Sequence, residues 1–160
     1  MRRGVRLGVD VGTVRVGLAV CDPDGVIASP LETLPRDDRG QSDIARIADE
    51  VAQRGVIEVV VGLPRSLDGR DRAAAEVARG YAVRLAGRVA PVPVRLVDER
   101  LSTVGAHRAL HDAGVKGRRH RRVVDQVAAV LILQTALDAE RASGRVPGSV
   151  VDPARAQEEA

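Results

Sequence analysis

The segment Val56–Val61 constrains the fold of this chain more than any other part of its 160 residues. It is an almost unbroken apolar run, which is typical of a β-strand that is covered on both faces. Helical spacing of apolar residues precedes it, an Ala-rich helical segment follows it, and a second apolar run, Val92–Val97, comes next. Strands that are separated by a helix pair in parallel, so the sequence predicts an α/β protein with helices on the faces of its sheet.

Three further strands are predicted near the amino terminus, where short turns join apolar segments. These segments are Val5–Asp10, Val14–Cys21 and Val26–Leu34. The turn residues of Asp22–Gly25 favour an antiparallel meander. Together with the two later strands, the meander predicts a mixed five-stranded sheet flanked by helices.

The last part of the chain is predicted to be helical and then irregular. Helices are expected at about Asp71–Ala86, from Ser102 or Thr103 to about Ala113, and at about Val123–Ala142. Residues 143–160 carry Gly, Pro and charge without a core pattern, which predicts a mobile tail behind one domain of residues 1–142.

The composition excludes several classes of function. Aromatic residues make up 1% of the chain, with Tyr81 standing alone, so modules that stack single-stranded bases on aromatic platforms are excluded. The single cysteine, Cys21, excludes a disulfide framework and a thiolate zinc cluster, and it is expected to be buried. No apolar run approaches the roughly 20 residues that span a bilayer. The sequence therefore predicts a cytoplasmic protein that does not bind membranes.

Asp10 and Glu99 stand at the ends of apolar strands. A carboxylate there is costly unless it is paired, hydrogen-bonded or bound to a metal. Asp10 has an alternative interpretation as a turn residue before Gly12, and Glu99 has one as an ion-pair partner of Arg95 or Arg100.

Asp125 lies early in the last predicted helix, where a carboxylate meets the helix dipole favourably even without a functional role. Asp10 and Glu99, however, end strands that are expected to be parallel, and the helix of Asp125 is expected to lean over the same end of the sheet. Three carboxylates that converge there would form an oxygen site suited to Mg²⁺ or Mn²⁺.

The densest basic run of the chain lies between Gly114 and Arg122. It contains Lys116, Arg118, Arg119, Arg121 and Arg122. A solvated loop is the ordinary interpretation of such a run. It leads, however, into the amino end of a helix, where positive side chains oppose the dipole, and such departures from local rules are expected at functional sites. We therefore predict that this run contacts nucleic acid.

All but one of the 25 basic residues are Arg. Arg binds phosphate bidentately, which favours an anionic partner, although an Arg-biased genome would give the same composition. The loop Gly62–Arg70 follows a strand and precedes a helix, so its glycines could admit a phosphate beside Arg65 and Arg70. An ordinary connecting turn built on Asp68-Gly69 explains that loop equally well.

Four segments of the chain together resemble the YqgF/RuvX family. They are Gly8–Thr13 with Arg15–Gly17, Val61–Pro64, Asp98–Thr103 and Val124–Ala129. The resemblance implies a ribonuclease-H-like fold and a nuclease that is related to Holliday-junction resolvases and implicated in maturing the precursor of small-subunit ribosomal RNA.

The resemblance also implies roles for individual residues. It makes Asp10, Glu99 and Asp125 an acidic triad that holds two divalent ions, which activate a water and stabilise the leaving oxygen. It adds Thr13, Arg15, Arg65 and Arg70 as residues on the substrate side. Basic residues would bind the backbone of a structured RNA or a branched DNA, which would be chosen by its shape. A homodimer with two sites would suit a symmetric junction.

Two other classes of protein are alternatives. Asp10–Thr13 resembles the first phosphate loop of actin-like ATP-binding folds, but those proteins need a second domain that 160 residues do not hold. The second alternative is a nucleic-acid-binding factor that has lost catalysis and serves ribosome assembly or transcription. The presence of all three carboxylates argues against that loss.

Overall fold

The computed structural model describes residues 1–64, 72–99 and 118–153, and for residues 118–125 it describes only the helical backbone. The strands in these ranges are β1 (Arg6–Val11), β2 (Arg15–Cys21), β3 (Ala28–Pro35), β4 (Glu58–Leu63), β5 (Val94–Asp98) and β6 (Ser149–Val150). The helices are α1 (Ser42–Arg54), α2 (Arg72–Val89) and α3 (Arg118–Ser143).

All of these strands form one sheet in the order β3-β2-β1-β4-β5-β6. β1 pairs antiparallel with β2, and β2 pairs antiparallel with β3, which confirms the predicted meander. β1 pairs in parallel with β4, and β4 pairs in parallel with β5. The carboxyl ends of β1, β4 and β5 therefore lie together, at what we call the carboxyl end of the sheet, and their amino ends define its amino end.

Helices cover both faces of the sheet. On one face, strand residues such as Leu7, Val9 and Val61 pack against α1 and α2. On the other face, Val60 and Val97 pack against apolar residues of α3. The core is almost entirely aliphatic, as the composition requires, and full burial of one Val or Leu side chain contributes about 1.5–3 kcal/mol.

The helix α3 approaches β1 closely because Gly8 has no side chain. A Cβ at this position would stand 2.7 Å from the Leu133 Cβ and 2.9 Å from the Ala129 carbonyl oxygen. Glu140, near the end of α3, pairs with Arg6 at the start of β1 (3.3 Å). The helix therefore runs opposite to β1, and its amino end points toward the carboxyl end of the sheet.

A group of charged side chains ties the amino end of the sheet together. Glu140 accepts from Arg2 Nε (2.8 Å), and Glu58 accepts from Arg2 Nη1 (3.1 Å) and Arg95 Nε (2.9 Å). Arg6, at 1% exposure, donates to Glu140 Oε2 (3.3 Å). We call these residues the amino-end charge network; it joins β1, β4 and β5 to α3.

The prediction of five strands is wrong by one, because Ser149–Val150 pairs antiparallel with β5. The next residue, Val151, donates its N–H to the Val94 carbonyl (2.8 Å) and is buried in the core beside α1 and α2. Residues 149–151 are therefore held against β5, where the sequence predicted a mobile tail. Residues 154–160 lie outside the described part of the chain.

Two predicted boundaries near the site are also wrong. α3 begins at Arg118 instead of near Val123, because no Gly or Pro interrupts the 26 residues of this helix. Arg118, Arg119 and Arg121 are therefore helical and do not belong to a loop. β4 continues to Leu63, so Gly62 lies in a strand. The helix predicted up to about Ala113 falls outside the described residues.

Although α3 is long, no helix in the described ranges is both long enough and apolar enough to cross a membrane.

Candidate active site

Asp10 and Glu99 lie on the same face of the sheet at its carboxyl end. In β1, Val9 belongs to the core beside α1 and α2, so Asp10 faces α3. In β5, Val97 packs against α3, and Glu99 follows two residues later. Successive residues of a strand alternate between faces, so both carboxylates are placed on the α3 side.

Gly62 lies between these two carboxylates, in β4. In the register of the sheet, Val61 is opposite Val9 and Gly62 is opposite Val97. A Cβ at Gly62 would stand 2.9 Å from Glu99 Oε1 and would collide with the Ile132 side chain of α3. The space that a side chain would fill at position 62 is thus occupied by the Ile132 side chain and the Glu99 carboxylate, so the Glu99 side chain extends over β4.

Asp125 is placed at the same end of the molecule by its helix. It lies four residues, about one turn, before Ala129 in α3. The Ala129 carbonyl packs against Gly8 in β1. The amino end of α3 points toward the carboxyl end of the sheet, so Asp125 is one turn closer to that end than Ala129 is. The side chain of Asp125 is outside what the structure describes.

The described side chains include no cluster of three or more His, Cys, Asp or Glu residues that could hold a metal ion. Among the described side chains, Asp10 and Glu99 supply carboxylates at this end of the sheet, and the backbone of Asp125 lies at the same end.

The turn between β1 and β2 carries two residues that were predicted to lie on the substrate side. Thr13 is exposed at the tip of the turn, and Arg15 is half-buried at the start of β2. The Gly12 N–H donates to the Arg15 carbonyl (2.8 Å). A Cβ at Gly12 would stand 2.7 Å from that same oxygen, so the tightness of the turn requires glycine.

The predicted basic residues are described only in part. Arg118, Arg119, Arg121 and Arg122 lie in the first turns of α3, at the carboxyl end of the sheet, and their side chains are outside the described set. Arg65, Arg70 and Lys116 fall outside the described residues.

Two residues at this end of the sheet have packing roles that the sequence analysis did not predict. Gly62 had a usable signal, because a glycine inside an apolar strand often marks the close approach of another group. The Nη1 of Arg36 donates to the Gly12 carbonyl (2.9 Å). This residue had no sequence signal, because it stands in an ordinary charged loop.

Cys21 lies away from this site, where β2 ends at the amino end of the sheet. The side chain is buried, as predicted, and its Sγ accepts the Arg6 N–H (3.2 Å). Burial raises the pKa of the thiol, which is typical of an unreactive structural cysteine.

A meander followed by parallel strands, with helices on both faces, makes this a protein of the ribonuclease-H-like fold. Solved structures agree. T. thermophilus RuvC in complex with a Holliday junction substrate has a TM-score of 0.61 at 19% identity, covering 91% of this chain and 99% of that one. A second structure of Thermus thermophilus RuvC has a TM-score of 0.55 at 18% identity and the same coverage. These likenesses establish the fold alone.

The chain belongs to the RuvX family, described as Holliday junction resolvase, whose model matches residues 4–139. Three relatives are each named "Putative pre-16S rRNA nuclease". The protein of Kineococcus radiotolerans is 62% identical over 151 residues, which cover 94% of this chain and 80% of the relative. Those of Nocardioides sp. and Streptomyces coelicolor are 56% and 54% identical, covering 95% of this chain and 99% and 90% of the relatives.

The resemblance drawn from the four sequence segments is thus confirmed. The family is one of nucleases, and the chain is accordingly a hydrolase that acts on ester bonds.

Proposed function

We propose that this chain is a divalent-metal-dependent nuclease that hydrolyses phosphodiester bonds in structured nucleic acid, with precursor 16S rRNA as its substrate. The observation that carries the proposal is the placement of Asp10 and Glu99 on either side of Gly62, on one face of the sheet. The names of relatives that are 54–62% identical support the choice of RNA.

The residues at the carboxyl end of the sheet are suited to binding Mg²⁺ or Mn²⁺. Asp10 and Glu99 offer carboxylate oxygens, which are the ligands that these hard cations prefer. The missing side chain at Gly62 leaves room for the Glu99 carboxylate over β4. Asp10, Glu99 and Asp125 would hold the metal. When bound, a pair of such ions supplies charge stabilisation to the phosphoryl group and an activated water.

The substrate backbone would lie along the carboxyl end of the sheet. The exposed hydroxyl of Thr13 is available to donate to a phosphate oxygen. Arg15 and the basic residues at the start of α3 are at the same end, and Lys116, Arg65 and Arg70 are proposed to add further phosphate contacts. Such contacts position a backbone without reading its sequence.

Branched DNA is the second candidate substrate, and the description of the matched family favours it. Symmetric cleavage of a four-way junction needs two sites, which a homodimer would provide. Action on a ribosomal RNA precursor would place the protein in the cytoplasm.

The test offers the purified protein end-labelled precursor 16S rRNA and a four-way DNA junction, each with Mg²⁺, Mn²⁺ or EDTA. We expect metal-dependent cleavage of the RNA, reduced about 100-fold or more by Asp10→Asn, because a preorganised charge at the reacting centre is lost. Asp49→Asn, an identical change at an exposed position of α1, is the matched control. Wild-type turnover by Asp10→Asn would refute the site, and faster cleavage of the junction would select the second candidate.

A further inference from the structure

Arg36 binds both sides of the turn that connects β1 to β2. Its backbone N–H donates to the Val14 carbonyl (2.8 Å), and its side-chain Nη1 donates to the Gly12 carbonyl (2.9 Å). Thr13, between these two carbonyls, is exposed at the tip of the turn. One residue therefore holds the Gly12–Thr13 and Val14–Arg15 peptide units of the turn, immediately after the strand end that carries Asp10.

The guanidinium of Arg36 is itself held in place. Its Nη2 donates to Asp38 Oδ1 (2.5 Å), and its central carbon lies 5.3 Å from the centroid of the Tyr81 ring. The Tyr81 hydroxyl donates to the buried Asp43 (3.0 Å). Burial, together with the nearby Asp43 carboxylate, raises the pKa of Tyr81, so its hydroxyl stays a donor. A chain of contacts thus links α1 and α2 to the carbonyl of Gly12.

The buried position of the Arg36 side chain carries a cost for the fold. The Arg36 side chain is only 10% exposed, and its buried Nε has no hydrogen-bond partner among the described residues. Burying an unsatisfied donor costs about 1–3 kcal/mol. The Asp38 side chain is 69% exposed, so water would solvate it if the arginine were lost. A neutral side chain of similar length would therefore be tolerated by the fold.

We infer that Arg36 is a positioning residue, which holds the β1–β2 turn so that Asp10 and Thr13 keep the geometry that cleavage needs. This inference rests on the proposed function. Arg36 would act through the backbone of the turn, without contact to the reacting phosphate.

The test compares Arg36→Met with Arg39→Met, which removes the same charge from an exposed position in the same loop. We expect kcat to fall about 10- to 100-fold in Arg36→Met alone, because small displacements of reacting groups are costly. KM should change equally in both variants, since each loses one positive charge. Arg36→Lys should restore part of kcat, because an ammonium reaches one carbonyl but lacks the planar fork.

Amide hydrogen exchange provides a readout that does not depend on activity. Peptides covering residues 9–17 should exchange faster in Arg36→Met than in wild type or Arg39→Met, because the Gly12 carbonyl loses its side-chain donor. Equal kcat in the two Met variants, or a lower kcat without faster exchange, would overturn the inference. If the wild-type protein cleaves neither substrate, the proposed function fails, and unchanged exchange would still refute the role of Arg36 in the turn.

Discussion

Two glycines show how strongly the effect of one methyl group depends on its surroundings. At Gly62 a Cβ would lie 2.9 Å from Glu99 Oε1 and would collide with Ile132, whereas at Gly80 in α2 its nearest neighbour would be Arg84 Nη1 at 3.7 Å. We expect Gly62→Ala to lower the free energy of unfolding by about 1–3 kcal/mol through overpacking, and to reduce cleavage by displacing Glu99. Gly80→Ala should instead stabilise the helix by about 0.5–1 kcal/mol.

Urea denaturation and cleavage assays on both glycine variants would check this. A Gly62→Ala protein with wild-type stability and activity would show that the Glu99 carboxylate does not lie over β4.

At the residue scale, the placement of Asp10 and Glu99 at one end of the sheet could be predicted from the sequence, whereas the contacts around them could not. Asp10 and Glu99 could be found because each follows an apolar strand, which is a local pattern. The importance of Gly62 and Arg36 depends on contacts with Glu99, Ile132 and Gly12. Those contacts exist only after distant segments have packed together.

At the scale of single elements, the start of α3 combines four arginines with the positive end of a helix dipole. They are Arg118, Arg119, Arg121 and Arg122. We expect their simultaneous replacement by Ala to weaken binding to every nucleic-acid sequence tested. The log–log salt slope should fall by about one unit for each phosphate contact that is lost. Helix stability should not decrease, because cations near a helix amino terminus are unfavourable.

The matched control for the arginine variant removes the same charge elsewhere. It replaces the exposed residues Arg39, Arg79, Arg88 and Arg145 by Ala. If both quadruple variants show the same salt slope in a binding titration, the start of α3 makes no specific phosphate contact.

The elements differ in how far local sequence determines them. β4 and the body of α3 have strong local patterns and were predicted. The first turn of α3 was missed because its charges oppose the dipole, although Arg is a good helix former. β6 has only two residues and forms by pairing with β5, so its own sequence carries almost no signal.

At the scale of the whole molecule, the amino-end charge network makes stability depend on pH. Hydrogen bonding to Arg2 lowers the pKa of Glu140 below its ordinary value of about 4.5. A lowered pKa means that the ionised carboxylate stabilises the fold above about pH 4.5, and that this contribution is lost as the pH falls further. Glu140→Gln should lower the free energy of unfolding by about 3 kcal/mol near neutral pH, because the buried Arg6 loses its anionic partner.

Denaturation curves between neutral pH and pH 3.5 would test the role of Glu140. The difference between wild type and Glu140→Gln should shrink below about pH 4.5, where Glu140 in the unfolded chain is protonated. Glu76→Gln, at an exposed position of α2, should have the same free energy of unfolding as wild type at every pH. A difference in unfolding free energy between wild type and Glu140→Gln that stays constant with pH would contradict the proposed role of the Glu140 carboxylate.

Metal binding is also expected to stabilise the whole molecule. A ligand that binds only the folded state adds about 2.7 kcal/mol at 100 times its dissociation constant. Mn²⁺ or Mg²⁺ should therefore raise the melting temperature of the wild-type protein, and Asp125→Asn should respond weakly because it lacks a proposed ligand. An equal rise in melting temperature for wild type and Asp125→Asn would place the metal elsewhere. Asp49→Asn is the control, and it should keep the full rise of the wild-type protein.

The pairing of β6 with β5 bears on how the sheet limits edge-to-edge pairing with other chains. At the opposite border of the sheet, β3 contains Pro30 and Pro35, which discourage a neighbouring chain from adding a strand. β5 has no proline, and in the described part of the chain its outer side pairs with β6 at Arg95 and Leu96. Trimming the chain after Ala142 would uncover the backbone groups of β5 as a template for aggregation. A shortened protein intended for expression should therefore keep the residues through Pro153.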